Sequence, residues 1–523
     1  MFAGRSLKYL SAIAVRRAER SVIGVVERGF RLSIHWPIIR RCLARPLEIG
    51  VVDDTRSYRR LEILAAALML ADEIEARSKS PTVGMLMPTS GAAGIVALAC
   101  WILGRVFVPL NYLLKREELE YVVKDCGTDL VVTVKPMLEF MGYQPPAPLF
   151  MLDKMAKSVP TPRWPARPDD DQLAILLYTS GTTGRPKGVM LTHGNVSANI
   201  RQCQQWVGFG RTEVVMGVLP QFHSFGLTVL TLLPLSVGCK AVYTARFVPQ
   251  KIVRLIREHQ ATALIAIPSM YNAMLHVKEG VPADFASLRF AVSGGEPLPD
   301  AVARGFKERF GVTIAEGYGL TETAPVTNWC RPAEYKPHSV GRPLPGVEQR
   351  IVSMETGEDL GPNTDGEVRI KGPNLMKGYF GMPEESAAAL DERGFLRTGD
   401  IGRTDDDGHL FITGRLKEMM IIGGENVFPR EIEEVLNAHE SVKDAGVIGI
   451  TDPVRGEHPM AFVELREGAN FDQTALLGWC RQRLAGYKVP REIRRVEALP
   501  RNPTGKVMRR ELKPLVTGDA HVM

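Results

Sequence analysis

The 523-residue chain is predicted to be an α/β protein: a large N-terminal domain of layered α/β subdomains plus a β-rich subdomain, followed by a small α+β C-terminal domain. Three observations predict this. Helical patterns alternate with short apolar runs from about Arg59. The text turns to short segments punctuated by Gly and Pro after about Val340. A last mixed stretch begins near Arg415.

In order, RRLEILAAALMLADEIEAR reads as a helix, PTVGMLMP as a buried strand, GIVALACWILG as a helix and RVFVPLN as a strand. The same rhythm returns at Glu117–Val134 and at Ile252–Ile267, while the prolines and charges of Val159–Asp171 mark a surface linker. GRPLPGVEQRIV, GEVRIKGP and GHLFITGR read as strands of the β-rich subdomain. In the last unit EIEEVLNAH and ALLGWCRQRL read as helices, and VKDAGVIGI and PMAFVEL as strands. The predicted domains are a basic N-terminal extension at 1–45, a large domain at 46–414 and a small one at 415–523.

Composition narrows the classes. With 45% hydrophobic and 24% charged residues, the chain falls among globular proteins of more than one domain. Seven scattered cysteines without CxxC spacing point away from a disulfide framework or zinc site and toward a reducing compartment. The apolar run Gly91–Gly104 falls short of the roughly 20 residues that span a bilayer, so it reads as a buried core helix. Net charge is +6, yet residues 1–45 hold ten Arg/Lys against Glu19 and Glu27, which leaves the rest of the chain about neutral. That basic start is a solvated helix, a peripheral contact with an anionic membrane, or an organelle-targeting peptide on an otherwise cytoplasmic protein. Nothing in the sequence calls for nucleic acid.

In LLYTSGTTGRPKGV, Leu176–Val189, an apolar strand runs into three glycines, hydroxyl residues and two cations. Glycines let backbone N–H groups converge on an anion, and Arg185 and Lys187 suit a polyphosphate. The nucleotide P-loop spacing fails here. Lys187 follows Pro186 rather than Gly, and Gly188 stands where the magnesium-binding hydroxyl belongs. A plain turn is the alternative.

Together with LPQFHSFGL, SGGEPLP, EGYGLTET, GEVRIKGPNLMKGYF, RTGD, GRLKEMMIIGGENVFPREIE and LPRNPTGKVMRREL, in that order, this loop resembles the adenylate-forming superfamily of acyl- and aryl-CoA synthetases, luciferases and nonribosomal-peptide adenylation domains. The resemblance covers the chain from about residue 50 onward. It implies activation of a carboxylic acid by ATP, with Mg²⁺, to acyl-AMP, and transfer of the acyl group to CoA by a mobile C-terminal domain.

The resemblance also implies residue roles. Thr179, Ser180, Gly181, Thr182, Thr183 and Lys187 would grip phosphates. Gly295 and Glu296 would lie near adenine, although many relatives carry Ala where Glu296 stands. Glu316, Gly317, Tyr318, Gly319 and Thr321 would complete the nucleotide wall, with Tyr318 on adenine and Thr321 at the α-phosphate. Glu322 would hold Mg²⁺, and Asp400 and Arg415 the ribose. Lys506 would bridge substrate carboxylate and α-phosphate, Lys417 would be the hinge, and Gly424 in GGEN would leave width for pantetheine. His223 would gate the acid pocket. Taken singly, Glu322 reads as a surface carboxylate, GGEN as a tight turn and His223 as a packed ring.

GLTVLTLLPLSVG and ALIAIPSMYNAML are aliphatic and show no cation for a second carboxylate, which favours a medium- or long-chain fatty acid; both also read as plain core. An acyl carrier protein is the alternative acceptor, since Arg481–Arg495 is basic. A non-catalytic nucleotide-binding or membrane-scaffold relative is the alternative of another class.

Overall fold

The computed structural model describes residues 33–179, 185–423, 425–452, 456–501 and 507–517. Ser180, Gly181, Thr182, Thr183, Gly424 and Lys506, and most of the basic extension, lie outside these residues.

Two large sheets carry the N-terminal part. One runs Gly378–Tyr379, Lys187–Thr192, Leu173–Thr179, Val106–Pro109, Thr82–Leu86, Val131–Thr133, Leu149–Met151. The other runs Val326–Trp329, Ala315–Gly319, Phe290–Ser293, Ala263–Ala266, Val214–Gly217, Lys240–Tyr243, Ile49–Val52, Ser57–Arg59. Their inner strands pair in parallel; both edges of the second sheet and the Gly378–Tyr379 edge of the first are antiparallel, while the Leu149–Met151 edge is parallel. Strands buried on both faces are almost wholly apolar, as Ala263–Ala266 and, apart from Thr82, Thr82–Leu86 are.

Helix Ala92–Ile102 is enclosed by the protein, which is why its sequence is apolar on every face. Trp101 Nε1 donates to the Ala174 carbonyl at 2.9 Å on one sheet. At the other end, a Cβ on Gly91 would lie 2.9 Å from Val51 and 3.0 Å from Tyr58 on the second sheet. One continuous core extends from Ile34 to Leu410; a second, from Met420 to Ile493, belongs to the C-terminal unit. An antiparallel sheet of Glu348–Val352, Gly366–Lys371, Leu396–Thr404 and Leu410–Arg415 packs Ile351, Val368, Ile370, Leu396 and Leu410 into the first core.

Two expectations need refinement. The stretch 159–171 lies at the surface, but it is pinned rather than loose. Arg163 pairs with Asp72 and, at 3.1 Å, with Glu75, and the Ala166 amide donates to Ile102 O at 3.0 Å. The described part of the basic extension is likewise no appendage. Helix His35–Ala44 buries Ile38, Ile39 and Cys42 in the main core, because its apolar residues recur at three- and four-residue spacing. No described helix is long and apolar enough to cross a membrane.

Candidate active site

The strand Ala315–Gly319 ends in a turn that only glycine permits. A Cβ on Gly319 would stand 2.0 Å from the Pro325 carbonyl oxygen. Tyr318 on this strand donates its phenol hydrogen to Asp400 Oδ2 at 2.7 Å, and Arg415 Nε meets Asp400 Oδ1 at the same distance. Asp400 and Arg415 face each other across neighbouring strands, so the sheet register sets their pairing. Burial, and then the Asp400 carboxylate, hold the Tyr318 hydroxyl well above its ordinary pKa, so it remains a donor.

Thr321 and Glu322 follow in a short 3₁₀ turn, Thr321–Thr323. Thr321 Oγ1 lies 3.3 Å from Ser224 Oγ, and Glu322 Oε1 accepts a hydrogen bond from Tyr379 at 2.9 Å. Lys187 Nζ stands 5.3 Å from the centre of the same Tyr379 ring. Tyr379 thus joins the strand that leaves the glycine-rich loop to the carboxylate of the 3₁₀ turn. It pairs antiparallel with Val189, which fixes its place.

The loop itself connects antiparallel strands, with Thr179 opposite Lys187. A strand rather than a helix therefore follows it, which agrees with rejection of the P-loop spacing. Tyr178, beside it, donates to Asp125 at 2.5 Å.

Gly295 takes φ +82° after strand Phe290–Ser293, a conformation suited to glycine. Glu316 is buried and accepts the Leu298 amide at 3.1 Å, so its carboxylate anchors the SGGEPLP loop. Burial raises its pKa.

A cavity of about 990 Å³ lies between the large and small units. Tyr178, Thr179, Phe222, His223, Ser224 and Thr321 face it from one side, and Arg415, Lys417, Met508, Arg509, Arg510 and Lys513 from the other. The His223 ring lines this cavity and stays accessible from it, and desolvation by the surrounding walls lowers its pKa, so it is neutral near pH 7. Gly295 and Glu296 are not among the described residues that line this cavity.

Two further residues of the site, Tyr379 and Arg509, carry no signal of their own in the sequence. Tyr379 lies in GEVRIKGPNLMKGYF, yet one aromatic at a strand end gives no signal of its own. Arg509 carries a fork of hydrogen bonds to Glu433, at 2.8 and 2.6 Å, and to Glu418, at 2.6 Å. It ties the segment after Lys506 to helix Pro429–Asn437 and to the residue after Lys417. The aliphatic stretch 228–237 is buried core and takes no part in the cavity wall among the described residues.

Comparison with known proteins accords with this geometry. The AMP-binding enzyme profile matches residues 47–380, and the AMP-binding enzyme C-terminal domain profile matches residues 431–506. A long-chain-fatty-acid–CoA ligase of Bacillus subtilis is 33% identical over 510 residues, covering 88% of this chain and 90% of that one. A feruloyl-CoA synthase of an Amycolatopsis species is 34% identical over 488 residues, covering 91% and 98%. ATP-bound MatB from Rhodopseudomonas palustris superposes with a TM-score of 0.85 at 30% identity, covering 93% of this chain and 99% of that one.

Fold and site together define an adenylate-forming enzyme. The chain belongs to the AMP-binding enzyme family, among its acyl-CoA synthetase-like members, and is an AMP-forming acid–thiol ligase.

Proposed function

We propose that the ligase activates a medium- or long-chain fatty acid and delivers it to CoA. A substrate carboxylate oxygen attacks the α-phosphate of ATP and expels pyrophosphate; the CoA thiol then attacks the acyl carbon and expels AMP. The observation that carries the nucleotide assignment is Asp400, buried and clamped between Tyr318 and Arg415, of which Arg415 lines the cavity. A fixed carboxylate of this kind is a bidentate acceptor for ribose hydroxyls, and the Tyr318 ring beside it is a platform for adenine.

Thr321 and Ser224 are hydroxyl donors for the α-phosphate. Thr179, Ser180, Gly181, Thr182, Thr183 and Lys187 are assigned to the outer phosphates. Glu322 is assigned to Mg²⁺. Among the described residues no three His, Cys, Asp or Glu cluster as a metal site, and a magnesium ion that arrives on phosphates needs only one or two carboxylates. Bound there, the ion would supply positive charge to offset that of the departing pyrophosphate. Tyr379 orients Glu322 for that contact.

Lys506 is assigned to the adenylation half and Gly424 to the thiol half. The two units 46–414 and 415–523 turn about Lys417 between the halves. Preorganised charge of this kind is usually the largest part of catalysis.

The fatty-acid reading is supported by Leu113, Leu114, Leu177 and Phe222, which give the cavity an apolar side beside the neutral His223. It is also supported by the Bacillus relative. The test is a panel of carboxylic acids with ATP, Mg²⁺ and CoA, in which released AMP and product mass are measured. Fatty acyl-CoA as the preferred product supports the reading. Preference for aryl or dicarboxylic acids overturns the acid class, and acyl transfer to carrier protein but not to CoA overturns the acceptor.

A further inference from the structure

The end of the second large sheet farthest from Tyr318 presents an unusual surface. Among the described residues fourteen large apolar side chains are exposed, and four of them, Leu43, Leu47, Ile49 and Leu61, belong to one turn of chain. Their exposures are 43, 71, 46 and 46%. The backbone brings them together: the Leu61 amide donates to Pro46 O at 3.0 Å, and Ile49 pairs with Arg59.

Arginines crowd this patch. Arg45 bonds Glu48 at 2.8 Å, while Arg41 and Arg60 donate to the carbonyls of Ser236 and Gly238 at 3.4 and 2.6 Å. Burial, and then the nearby charges of Arg211, Arg40 and Arg60, hold the Arg41 pKa below its ordinary value. Among the described residues Arg40, Arg59 and Arg211 make no ion pair, and Glu48 is the carboxylate that Arg45, Arg60 and Arg211 all face. The four aliphatic side chains therefore lie beside Arg40, Arg59 and Arg211, which are exposed and make no ion pair among the described residues, and such a surface is a poor partner for another cation.

We propose that this face docks on an anionic bilayer surface, with the aliphatic side chains entering the headgroup boundary and the arginines meeting lipid phosphates. Charge decides among occupants. Residues 1–32 hold seven cations against Glu19 and Glu27, and a segment of that charge is a poor electrostatic partner for the same arginines. A second copy of the chain would bring like charge to like charge. The strand order leaves the nucleotide strand Ala315–Gly319 near the opposite edge of the sheet, so docking does not cover the Tyr318 side.

The test is sedimentation of the full chain with phosphatidylcholine vesicles, with and without phosphatidylglycerol, at low and physiological salt. Three variants are compared: Leu47→Asp with Leu61→Asp, Arg40→Glu with Arg59→Glu, and a chain lacking residues 1–32. Circular dichroism and acid-dependent pyrophosphate exchange check that each is folded and active. The expected result is binding that needs anionic lipid, weakens with salt, and falls about ten-fold or more in each patch pair, with or without residues 1–32. Patch variants that bind like the parent, or binding that vanishes on removal of 1–32 alone, overturn the proposal. So does a change of oligomeric state in the patch variants, which would make the face a self-contact.

Discussion

The Tyr318 hydroxyl and the Asp400 carboxylate, 82 positions apart in sequence, meet at 2.7 Å. The contact joins a strand of the large parallel sheet to the antiparallel sheet that leads into the C-terminal unit. Asp400→Asn keeps the volume but removes the charge that holds Arg415. Its kcat/KM for ATP in pyrophosphate exchange is expected to fall about 30-fold, roughly 2 kcal/mol of transition-state stabilisation. KM for the acid should move little. An unchanged response to ATP would remove Asp400 from the nucleotide site.

Tyr379 gives a second prediction. Tyr379→Phe deletes the donor to Glu322 and leaves the ring under Lys187. The Mg²⁺ concentration that half-saturates adenylation is expected to rise about ten-fold, as losses of supporting hydrogen bonds to metal ligands commonly do. Thioester formation from supplied acyl-AMP should be unaffected. A magnesium titration of both half-reactions reads the two effects separately.

Lys506 and Arg509 test the alternation of the small unit. Lys506→Ala is expected to slow acyl-AMP formation by about 100-fold or more while sparing the thioester step from synthetic acyl-AMP. Equal loss in both steps would contradict the division of labour. Arg509→Met leaves Glu433 and Glu418 without their shared partner, two carboxylates that are largely buried in this contact. It should destabilise the C-terminal unit by about 3 kcal/mol, read by urea unfolding.

His35 and His193 predict acid sensitivity. Both rings are buried and lie 5.8 Å apart, beside Trp101. Burial pushes the His35 pKa down to about 4 and the His193 pKa to about 3. Below the ordinary value of 6.5 the unfolded chain therefore binds protons that the folded chain does not, and stability falls as pH falls from there toward 4. Each histidine accounts for roughly 3 kcal/mol by pH 4. His193→Phe is expected to flatten the loss of stability between about pH 7 and pH 4.5, read by urea midpoints at several pH values. An unchanged slope would count against the assignment.

The sequence was most legible where one physical cause acts alone. Residues 92–102 are apolar all round and form a buried helix; the strand and helix runs at Thr82–Leu86, Pro249–His259 and Pro429–Asn437 stand where periodicity puts them. Short strands such as Met420–Ile422 and Glu425–Val427 give no signal because three residues carry no period. Helix His35–Ala44 was grouped with a basic tail because Arg40 and Arg41 dominate its composition, while Ile38, Ile39 and Cys42 on the other face decide its burial. Within the site, motif order placed Tyr318, Thr321, Glu322, Asp400 and Arg415 in one region. It did not show that Glu316 turns inward to the Leu298 amide, that Tyr379 reaches Glu322, or that Arg509 grips Glu418. Those contacts depend on register and on the docking of two units, which no local pattern encodes.

Exchange of labelled pyrophosphate into ATP, with Mg²⁺ and an acid panel but without CoA, tests the central claim most directly. Exchange is expected to require both a carboxylic acid and Mg²⁺ and to be strongest with a medium- or long-chain fatty acid. Absence of exchange with every acid offered, from a folded protein that still binds ATP, would contradict it.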